Sequence, residues 1–266
     1  MGRVEAFEWN DLAWAPRWLR EGIVEILGLG LRWGKIYVPV APVFARFLER
    51  AGTREVLDLA SGSGEPCSIL IGALEKQGFD PPRFTVSDLF PNVASLAAVA
   101  ARHPGKIEVI EKSVDATAVP DEIDRKARTI VTAFHHMSPE LARKILADCV
   151  AKRRAIFIVE AFRRSFLGML SVLPGMILGT LANPFLARRD RWIKILFTFL
   201  IPLIPLAGFW DAMVSWMRIH SEAELRAMVA PLPGFQWDFV TVPFFPFGKA
   251  TVWMGLPTSA DGDQRT

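Results

Sequence analysis

Residues 56–64 of the chain read Val56-Leu-Asp-Leu-Ala-Ser-Gly-Ser-Gly64. A short apolar run around one acid is typical of a strand that is buried on both faces of a parallel sheet. Glycines just after such a run permit backbone angles that other residues avoid, and they let a ligand approach the main chain closely. We therefore predict a strand over 55–60, a tight turn, and a helix that begins near Pro66, since proline is favoured at the first helical position.

The rest of the chain continues the alternation of strands and helices. Further strands are predicted over 83–88, 107–110, 129–133, 155–159, 237–242 and 250–254, with helices over 39–51, 91–102 and 139–152. Ser221 and Glu224 form a capping-box pattern that begins one more helix before the last two strands. Strands that alternate with helices indicate an α/β fold: a seven-stranded, mostly parallel, doubly wound sheet that ends in an antiparallel hairpin.

An acidic residue follows each of the next two strands. Asp88 ends the second strand, where a carboxylate can accept hydrogen bonds from both hydroxyls of a ribose, and Asp115 follows the third, within reach of an adenine amino group. Open α/β sheets bind nucleotides at the carboxyl edge of their strands. The sequence therefore predicts a nucleotide site at that edge.

The turn and its two acids resemble the glycine-rich motif and acidic positions of class I S-adenosylmethionine-dependent methyltransferases. The resemblance runs from about Val56 to Val159 and returns in the C-terminal hairpin. It implies S-adenosylmethionine as the cofactor, with the turn near its methionine part, Asp88 near the ribose, and Asp115 and Ala116 near the adenine. The residues that it implies for cofactor binding are Tyr37, Asp58, Ala60, Gly62, Gly64, Asp88, Leu89, Asp115, Ala116 and Phe134.

Ala60 departs from the family pattern, because it stands where the motif usually has its first glycine. Alanine is small, so we still expect the cofactor to bind. The competing interpretation is a nicotinamide-dependent dehydrogenase. Its Gly-x-Gly-x-x-Gly fingerprint requires glycine at position 67, where this chain has Cys67.

Methyl transfer from a sulfonium mainly requires alignment of the reactants, and a weakly acidic acceptor also needs a base. His135 and His136 follow the fourth strand and Glu160 ends the fifth, so all three are candidate catalytic residues. The alternative is that a histidine packs against the cofactor or caps the next helix. Tyr37, the only tyrosine, lies where family members often carry a lid helix, although plain packing would explain it as well.

Residues 161–220 form an apolar insertion before the last helix. Ser165 to Leu186 contains no charge, and Trp192 to Trp210 contains only Lys194. Each stretch has nearly the length of a membrane-spanning helix, but Pro174, Pro184, Pro202 and Pro205 are expected to break both. A translocated loop of sequence Arg188-Arg-Asp-Arg191 would also contradict the positive-inside rule.

We therefore expect shallow, in-plane membrane insertion, and a true span, a soluble cap or a homodimer interface stay open as alternatives. An apolar insertion that covers the substrate implies an apolar acceptor. The candidate lining residues are Met169, Met176, Phe197, Phe199 and Phe209. Residues 17–31 predict an amphipathic helix that either packs on the core or lies at a membrane surface.

Composition bounds the remaining possibilities. The 266 residues are 51% hydrophobic, with a mean hydropathy of +0.26 and a net charge of +3, which is too weakly basic to indicate nucleic-acid binding. Two cysteines without metal-ligand spacing predict neither a zinc site nor a disulfide framework, and the N-terminus does not resemble a secretory signal. We expect a cytoplasmic-side, peripheral or monotopic location.

The sequence thus predicts an N-terminal helical lid or anchor over 1–52, a cofactor-binding core over 53–160, the insertion over 161–220, a completing helix and hairpin over 221–257, and a disordered tail over 258–266. The predicted function is methyl transfer to a hydrophobic small-molecule or lipid-like acceptor at the membrane surface. The alternatives are a membrane-associated scaffold of the same fold without turnover and a different nucleotide-dependent enzyme.

Overall fold

The computed structural model describes residues 2–12, 14–187, 189–245 and 247–258. The chain forms two compact units. The sheet unit comprises Tyr37–Glu160, Ser221–Val242 and Thr251–Thr266, and the helical unit comprises Met1–Ile36, Ala161–His220 and Pro243–Ala250. Most of the predicted disordered tail, residues 259–266, lies outside the described residues.

The sheet has seven strands. They are β1 (Glu55–Asp58), β2 (Arg83–Val86), β3 (Ile107–Val109), β4 (Ala127–Val131), β5 (Ala155–Glu160), β6 (Phe235–Phe244) and β7 (Gly248–Pro257), in the spatial order β3-β2-β1-β4-β5-β7-β6. The first five strands are parallel, and β7 pairs with β5 in the antiparallel direction. The predicted fold class is therefore confirmed.

The central strands are apolar because both of their faces are covered. Every residue of β4 and β5 is buried, as expected for parallel strands between two layers of helices. The helices of this unit are α2 (Ala41–Ala51), α3 (Glu65–Lys76), α4 (Val93–Ala100), α5 (Pro139–Ala151) and α9 (Glu222–Val229). The predicted capping box of Ser221 and Glu224 begins α9 as expected.

Alternate residues of β5 contact different helices. Ile156 and Ile158 belong to the apolar core that includes α5 and α9, whereas the ring of Phe157 contacts Phe44 of α2, with centroids 4.8 Å apart. Successive side chains of a strand point to opposite faces, so these contacts place helices on both sides of the sheet. The sequence pattern of a doubly wound fold thus has its physical basis in β5.

A buried cation lies within β4. Arg128 is fully buried, and its guanidinium donates to Asp124 at 2.9 Å and to Asp148 at 2.6 Å. Arg154 donates to the second oxygen of Asp124 at 2.7 Å. Burial alone would raise the pKa of Asp124, but the hydrogen bonds from the two arginines hold that pKa below its ordinary value. The network therefore keeps the side chains of Asp124 and Arg128 ionised inside the sheet unit.

The helical unit contains α1 (Arg17–Trp33), α6 (Phe166–Leu186), α7 (Arg191–Ile195), a π-helical turn (Leu196–Leu200) and α8 (Leu203–Arg218). α1 and α6 approach each other through glycines. A Cβ on Gly175 would lie 3.4 Å from the carbonyl oxygen of Gly30, and one on Gly179 would lie 3.0 Å from that of Ile26. The two backbones are therefore in direct contact.

Hydrogen bonds attach the N-terminal segment to α8 within this unit. The Asp211 carboxylate accepts the backbone N–H groups of Trp9 at 2.7 Å and Asn10 at 3.0 Å, and the Trp210 indole donates to the carbonyl of Phe7 at 2.9 Å. On the same helix, Arg218 and Ser215 donate to the Glu8 carboxylate. The segment before α1 is thus a fixed part of the helical unit.

The prolines of the insertion act differently from the prediction. α6 continues through Pro174 and Pro184, so the expectation that they break the first apolar stretch is wrong. Each proline removes one backbone donor from the helix interior, so packing must maintain α6 through Pro174 and Pro184. The second stretch does break, with an 80° bend between residues 191–200 and 203–218 at Pro202. Pro205 does not break it as predicted, because it lies in the first turn of α8, where proline is tolerated.

Asp124→Asn tests the buried network of β4. We expect it to lower the free energy of unfolding by about 3–5 kcal/mol, because the substitution removes one of the two carboxylates that pair with the buried Arg128, and the same carboxylate also pairs with Arg154. The measurement is urea denaturation at neutral pH. Asp80→Asn removes exposed ion pairs with Arg54 and Lys106 and should cost far less, because solvent screens exposed pairs.

The same variant tests the pH dependence. Because the pKa of Asp124 is lowered in the folded state, its contribution is present above the unfolded carboxyl pKa of about 3.9 and is lost as the pH falls through the folded value. Asp124→Asn should therefore unfold with a shallower acid dependence. Equal losses for Asp124→Asn and Asp80→Asn would contradict this account.

Candidate active site

The turn between β1 and α3 adopts left-handed backbone angles at three positions. The φ angles of Ala60, Gly62 and Gly64 are +54°, +55° and +75°. A Cβ on Gly64 would lie 3.1 Å from the Leu96 side chain, so both its angle and its packing favour glycine. Ala60 adopts an angle that costs an L-residue about 1–2 kcal/mol. The turn thus keeps the conformation that a glycine would adopt more easily.

Asp58 lies beneath this turn. It is buried, and its carboxylate accepts the hydroxyl of Ser61 at 2.7 Å and that of Thr129 at 2.6 Å. Burial raises its pKa to about 6, although the two hydroxyl hydrogen bonds oppose this increase. Its oxygens therefore join β1, the turn and β4, and the chain's own hydroxyls hold them in place.

Asp88 connects the turn to the end of β2. One carboxylate oxygen accepts the N–H of Gly62 at 2.8 Å, and the other accepts the N–H of Phe90 at 2.9 Å. A carboxylate offers about four acceptor positions, so Asp88 retains capacity for ligand hydroxyls. Leu89 beside it is 47% exposed, and it offers an apolar surface at the same edge of the sheet.

Asp115 follows β3 at the same edge. The Val114 N–H bonds to the Asp88 carbonyl at 2.9 Å, which brings the segment after β3 next to the end of β2. One Asp115 oxygen accepts both the N–H and the hydroxyl of Thr117, and these hydrogen bonds lower the pKa of the exposed carboxyl. Ala116 is half-buried next to it. Asp88, Leu89 and the segment that carries Asp115 are therefore neighbours at this edge of the sheet.

The end of β4 is strained. Thr132 has φ +52°, which is unusual for a β-branched residue, and such outliers cluster at functional sites. Its hydroxyl bonds to the hydroxyl of Tyr37, which is fully buried. Desolvation raises the pKa of Tyr37 well above its ordinary value. Tyr37 therefore supports the end of β4 from inside the sheet unit.

His135 and Glu160 form a buried pair at the ends of β4 and β5. One Glu160 oxygen accepts the backbone N–H of His135 at 2.9 Å, and the other lies 2.9 Å from the imidazole Nδ1. A carboxylate at Nδ1 favours the tautomer with its proton there, which leaves Nε2 as the basic nitrogen. Both side chains are buried, so the carboxylate fixes the position and the tautomer of the ring.

The two neighbours of His135 lie in different environments. Phe134 is fully buried and packs in the apolar core against Trp253, with ring centroids 6.2 Å apart. His136 is exposed, and its ring lies 4.3 Å from that of His135. The structure thus places one of the three predicted catalytic residues, Glu160, as the partner of another, His135.

Sequence reasoning missed the hydroxyl residues of the site, Ser61, Thr129 and Thr132. Thr129 lies directly opposite Asp58 in the pairing of β1 with β4. A threonine within an otherwise apolar buried strand was a usable signal, because a buried hydroxyl needs a polar partner. The positive φ of Thr132 has no comparable signal in the sequence.

This edge of the sheet can bind a polar ligand and move a proton. Carboxylates at Asp88 and Asp115 accept hydrogen bonds from ligand donors, and the turn offers a close approach to the backbone. His135, oriented by Glu160, provides a base. These groups suit a nucleoside-containing ligand next to a reaction that releases a proton.

Solved structures resemble this chain, although no protein-family model matches it and no curated protein sequence matches it significantly. The plantazolicin methyltransferase BpumL in complex with SAH gives a TM-score of 0.52 at 10% identity, covering 90% of this chain and 98% of that chain. A protein described as an O-methyltransferase from Nostoc punctiforme PCC 73102 gives 0.50 at 13% identity, covering 95% and 64%.

The chain spans less than two thirds of the length of some of the solved structures that it matches, including 46% of the chain of the citrinin polyketide synthase CMeT domain. At sequence identities this low, the likeness establishes the fold alone. The strand order of the sheet, its antiparallel last strand and the turn after β1 agree with that likeness. The chain therefore has the fold of the class I S-adenosylmethionine-dependent methyltransferases.

Proposed function

We propose that this protein is an S-adenosylmethionine-dependent methyltransferase. The proposal rests on one hydrogen bond, in which the Gly62 N–H of the glycine turn donates to the Asp88 carboxylate at 2.8 Å. This bond holds an acid and an exposed stretch of backbone side by side at the carboxyl edge of the sheet, where α/β folds bind nucleotides. The SAH in the BpumL structure belongs to a protein of the same fold.

The residues present fit this cofactor. Asp88 has acceptor capacity for ribose hydroxyls. One Asp115 oxygen accepts the N–H and the hydroxyl of Thr117, so the second oxygen suits the adenine amino group. Leu89 and Ala116 would flank the base, and the Asp58–Gly64 turn would contact the methionine part. When bound, the cofactor supplies an electrophilic methyl group on a positively charged sulfur.

His135 is the proposed base, and Glu160 is its positioning residue. Transfer of the methyl group that the bound cofactor would supply leaves an oxygen or nitrogen of the acceptor with a proton to lose. The acceptor proton moves to Nε2 of His135, and the Glu160 carboxylate beside Nδ1 stabilises the imidazolium. Both residues are buried, which strengthens their interaction by excluding water.

We further propose a hydrophobic acceptor and a location at the membrane surface. Support comes from the helical unit, where many large apolar side chains are exposed, among them Trp192 at 79% and Leu200 at 76%. Among the predicted lining residues, Phe199 and Phe209 are about half exposed, whereas Phe197 stacks on Trp18 with centroids 4.4 Å apart. The alternative is a scaffold that keeps the fold without turnover.

Thermal unfolding with added S-adenosylmethionine tests cofactor binding. Ligand at a hundredfold excess over Kd stabilises the folded state by about 2.7 kcal/mol, so we expect a clear increase in Tm with this cofactor and its demethylated product, but not with NAD. Asp88→Asn should abolish most of the increase, because it removes the carboxylate that faces the ribose.

Asp121→Asn is the matched control, since that side chain is 87% exposed on the surface. It should retain the full ligand-induced increase. An unchanged increase in Asp88→Asn would reject the proposed ribose contact, and no increase in the unsubstituted protein would favour the scaffold or another nucleotide.

Substitution of the buried pair tests the proposed base. His135→Gln should lower kcat for a methyl acceptor by about 10²–10⁴-fold, the usual contribution of a general base, with little change in the cofactor-induced Tm increase. Glu160→Gln should also lower kcat, because it removes the charge that stabilises the imidazolium. The measurement is transfer of a labelled methyl group to extracted lipids and hydrophobic metabolites.

His136→Gln is the control for this pair, because His136 is exposed and adjacent. It should keep kcat within a few-fold of the unsubstituted protein. A larger loss in His136→Gln than in His135→Gln would assign the base to the exposed ring instead.

A further inference from the structure

The helix α6 has an inverted distribution of side chains. Its buried positions are small or polar: Gly168, Ser171, Gly179, Asn183 and Pro184. Apart from Pro174, its exposed positions are large and apolar: Phe166, Leu167, Ile177, Leu178, Leu181, Phe185 and Leu186. The exposed set recurs at helical spacing, so it forms one stripe along the helix.

The following segment repeats the inversion. Lys194 of α7 and Thr198 of the π-helical turn are buried, and Lys194 donates to Glu25 of α1 at 2.7 Å. The exposed large apolar residues here are Trp192, Ile193, Leu196, Phe199 and Leu200, and α8 adds Leu203, Leu206, Phe209 and Trp210. Three consecutive helical segments therefore each expose an apolar stripe.

In water this arrangement is unfavourable, because monomeric soluble proteins rarely expose contiguous apolar patches of this kind. In lipid it is the usual one: helices bring small residues together, bond polar groups inward and expose large apolar side chains to the acyl chains. The backbone contact of α1 with α6 through Gly30 and Gly175 fits the same environment.

We propose that the helical unit inserts these stripes into a single leaflet of an anionic membrane. This inference rests on the proposed membrane-surface location and on the shallow insertion expected from the sequence. It adds the side chains that enter the lipid and the lipid class. The exposed apolar side chains thus contact the acyl chains of one leaflet, and acidic lipid headgroups surround them.

Segment lengths distinguish one leaflet from a full crossing. α6, with 21 residues, measures about 31 Å and matches the hydrocarbon thickness of about 30 Å. The return segment Arg191–Leu200 measures only about 15 Å before the chain bends by 80°. A chain that had crossed through α6 would bend in the middle of the bilayer and place α8, with its buried Asp211, there. One-leaflet insertion avoids that cost.

Charge favours acidic lipid. The helical unit contains thirteen Lys and Arg against seven Asp and Glu, whereas the rest of the chain contains eighteen against twenty-one. Exposed arginines flank both ends of α6, with Arg163 before it and Arg189 and Arg191 after it. Each basic residue near an anionic surface adds about 1 kcal/mol of binding. The positive charge of the chain is therefore concentrated next to the apolar stripes.

Vesicle flotation of the full chain tests the inference. We expect binding to vesicles of phosphatidylcholine mixed with phosphatidylglycerol, and much weaker binding to phosphatidylcholine alone. Leu206→Glu, at a 65% exposed position, should reduce binding at least tenfold. Leu141→Glu on α5, at a 37% exposed position of the sheet unit, is the matched control and should bind as the unsubstituted chain does.

Arg163→Gln and Arg189→Gln test the charge contribution. Each should weaken binding to the anionic vesicles about fivefold and leave binding to phosphatidylcholine unchanged. Equal binding of the unsubstituted chain to both vesicle types would overturn the lipid class. A soluble dimer that Leu206→Glu converts to a monomer would overturn membrane insertion in favour of a second copy of the chain.

Cysteine labelling on intact vesicles tests the mode of insertion. The two native cysteines are buried, so Arg189→Cys provides a single exposed thiol in the loop after α6, with Asp121→Cys as the control in the sheet unit. One-leaflet insertion leaves both thiols open to a membrane-impermeant maleimide added outside. Protection of Arg189→Cys alone would show a crossing and overturn the proposal.

These outcomes are independent of the cofactor. Flotation reports on the helical unit, and the S-adenosylmethionine-induced change in Tm reports on the sheet unit. Vesicle binding without a Tm increase would reject the methyltransferase proposal alone, whereas a Tm increase without vesicle binding would reject only the membrane proposal.

Discussion

The carboxylate of Asp58 accepts hydrogen bonds from Ser61 in the turn and from Thr129 in the neighbouring strand. A buried carboxylate is costly to ionise, and the increase of its pKa to about 6 reflects that cost. The two hydroxyls offset part of it only while β1, the turn and β4 keep their positions. The Gly62 N–H of the turn donates to Asp88, and this hydrogen bond fixes the end of β2. The candidate active site therefore depends on a polar contact in the interior of the sheet.

Hydrophobic patterning was enough to predict the sheet, because buried parallel strands are short apolar runs and the helices between them carry recognisable end signals. The Ser221–Glu224 capping box and the position of every strand illustrate this. Strand ends were less predictable: β1 ends at Asp58 and β2 at Val86, two residues before the predicted ends at Ala60 and Asp88. The chain leaves the sheet there to form the turns of the site, and tertiary contacts such as the Asp88–Gly62 hydrogen bond decide that point.

The site was partly predictable for a related reason. Acids that follow parallel strands must meet at one edge, so Asp88 and Asp115 could be grouped from the sequence, whereas the pairing of His135 with Glu160 depends on the register of β4 with β5. The inversion of α6 was not predictable, because an apolar stretch does not tell which face packs against α1. Its continuation through two prolines likewise depends on packing rather than on intrinsic propensity.

The helical unit is assembled from pieces that are far apart in the chain: α1 ends at Trp33, and its partner α6 begins at Phe166. During synthesis, at about 5–20 residues per second, α1 therefore leaves the ribosome on the order of ten seconds before the first residues of α6 are made. The sheet strands β1 to β5 are completed within that interval. Until α6 is made, a chaperone, a lipid surface or a transient structure must cover the apolar face of the amphipathic α1. The glycine contact between α1 and α6 therefore forms late in folding.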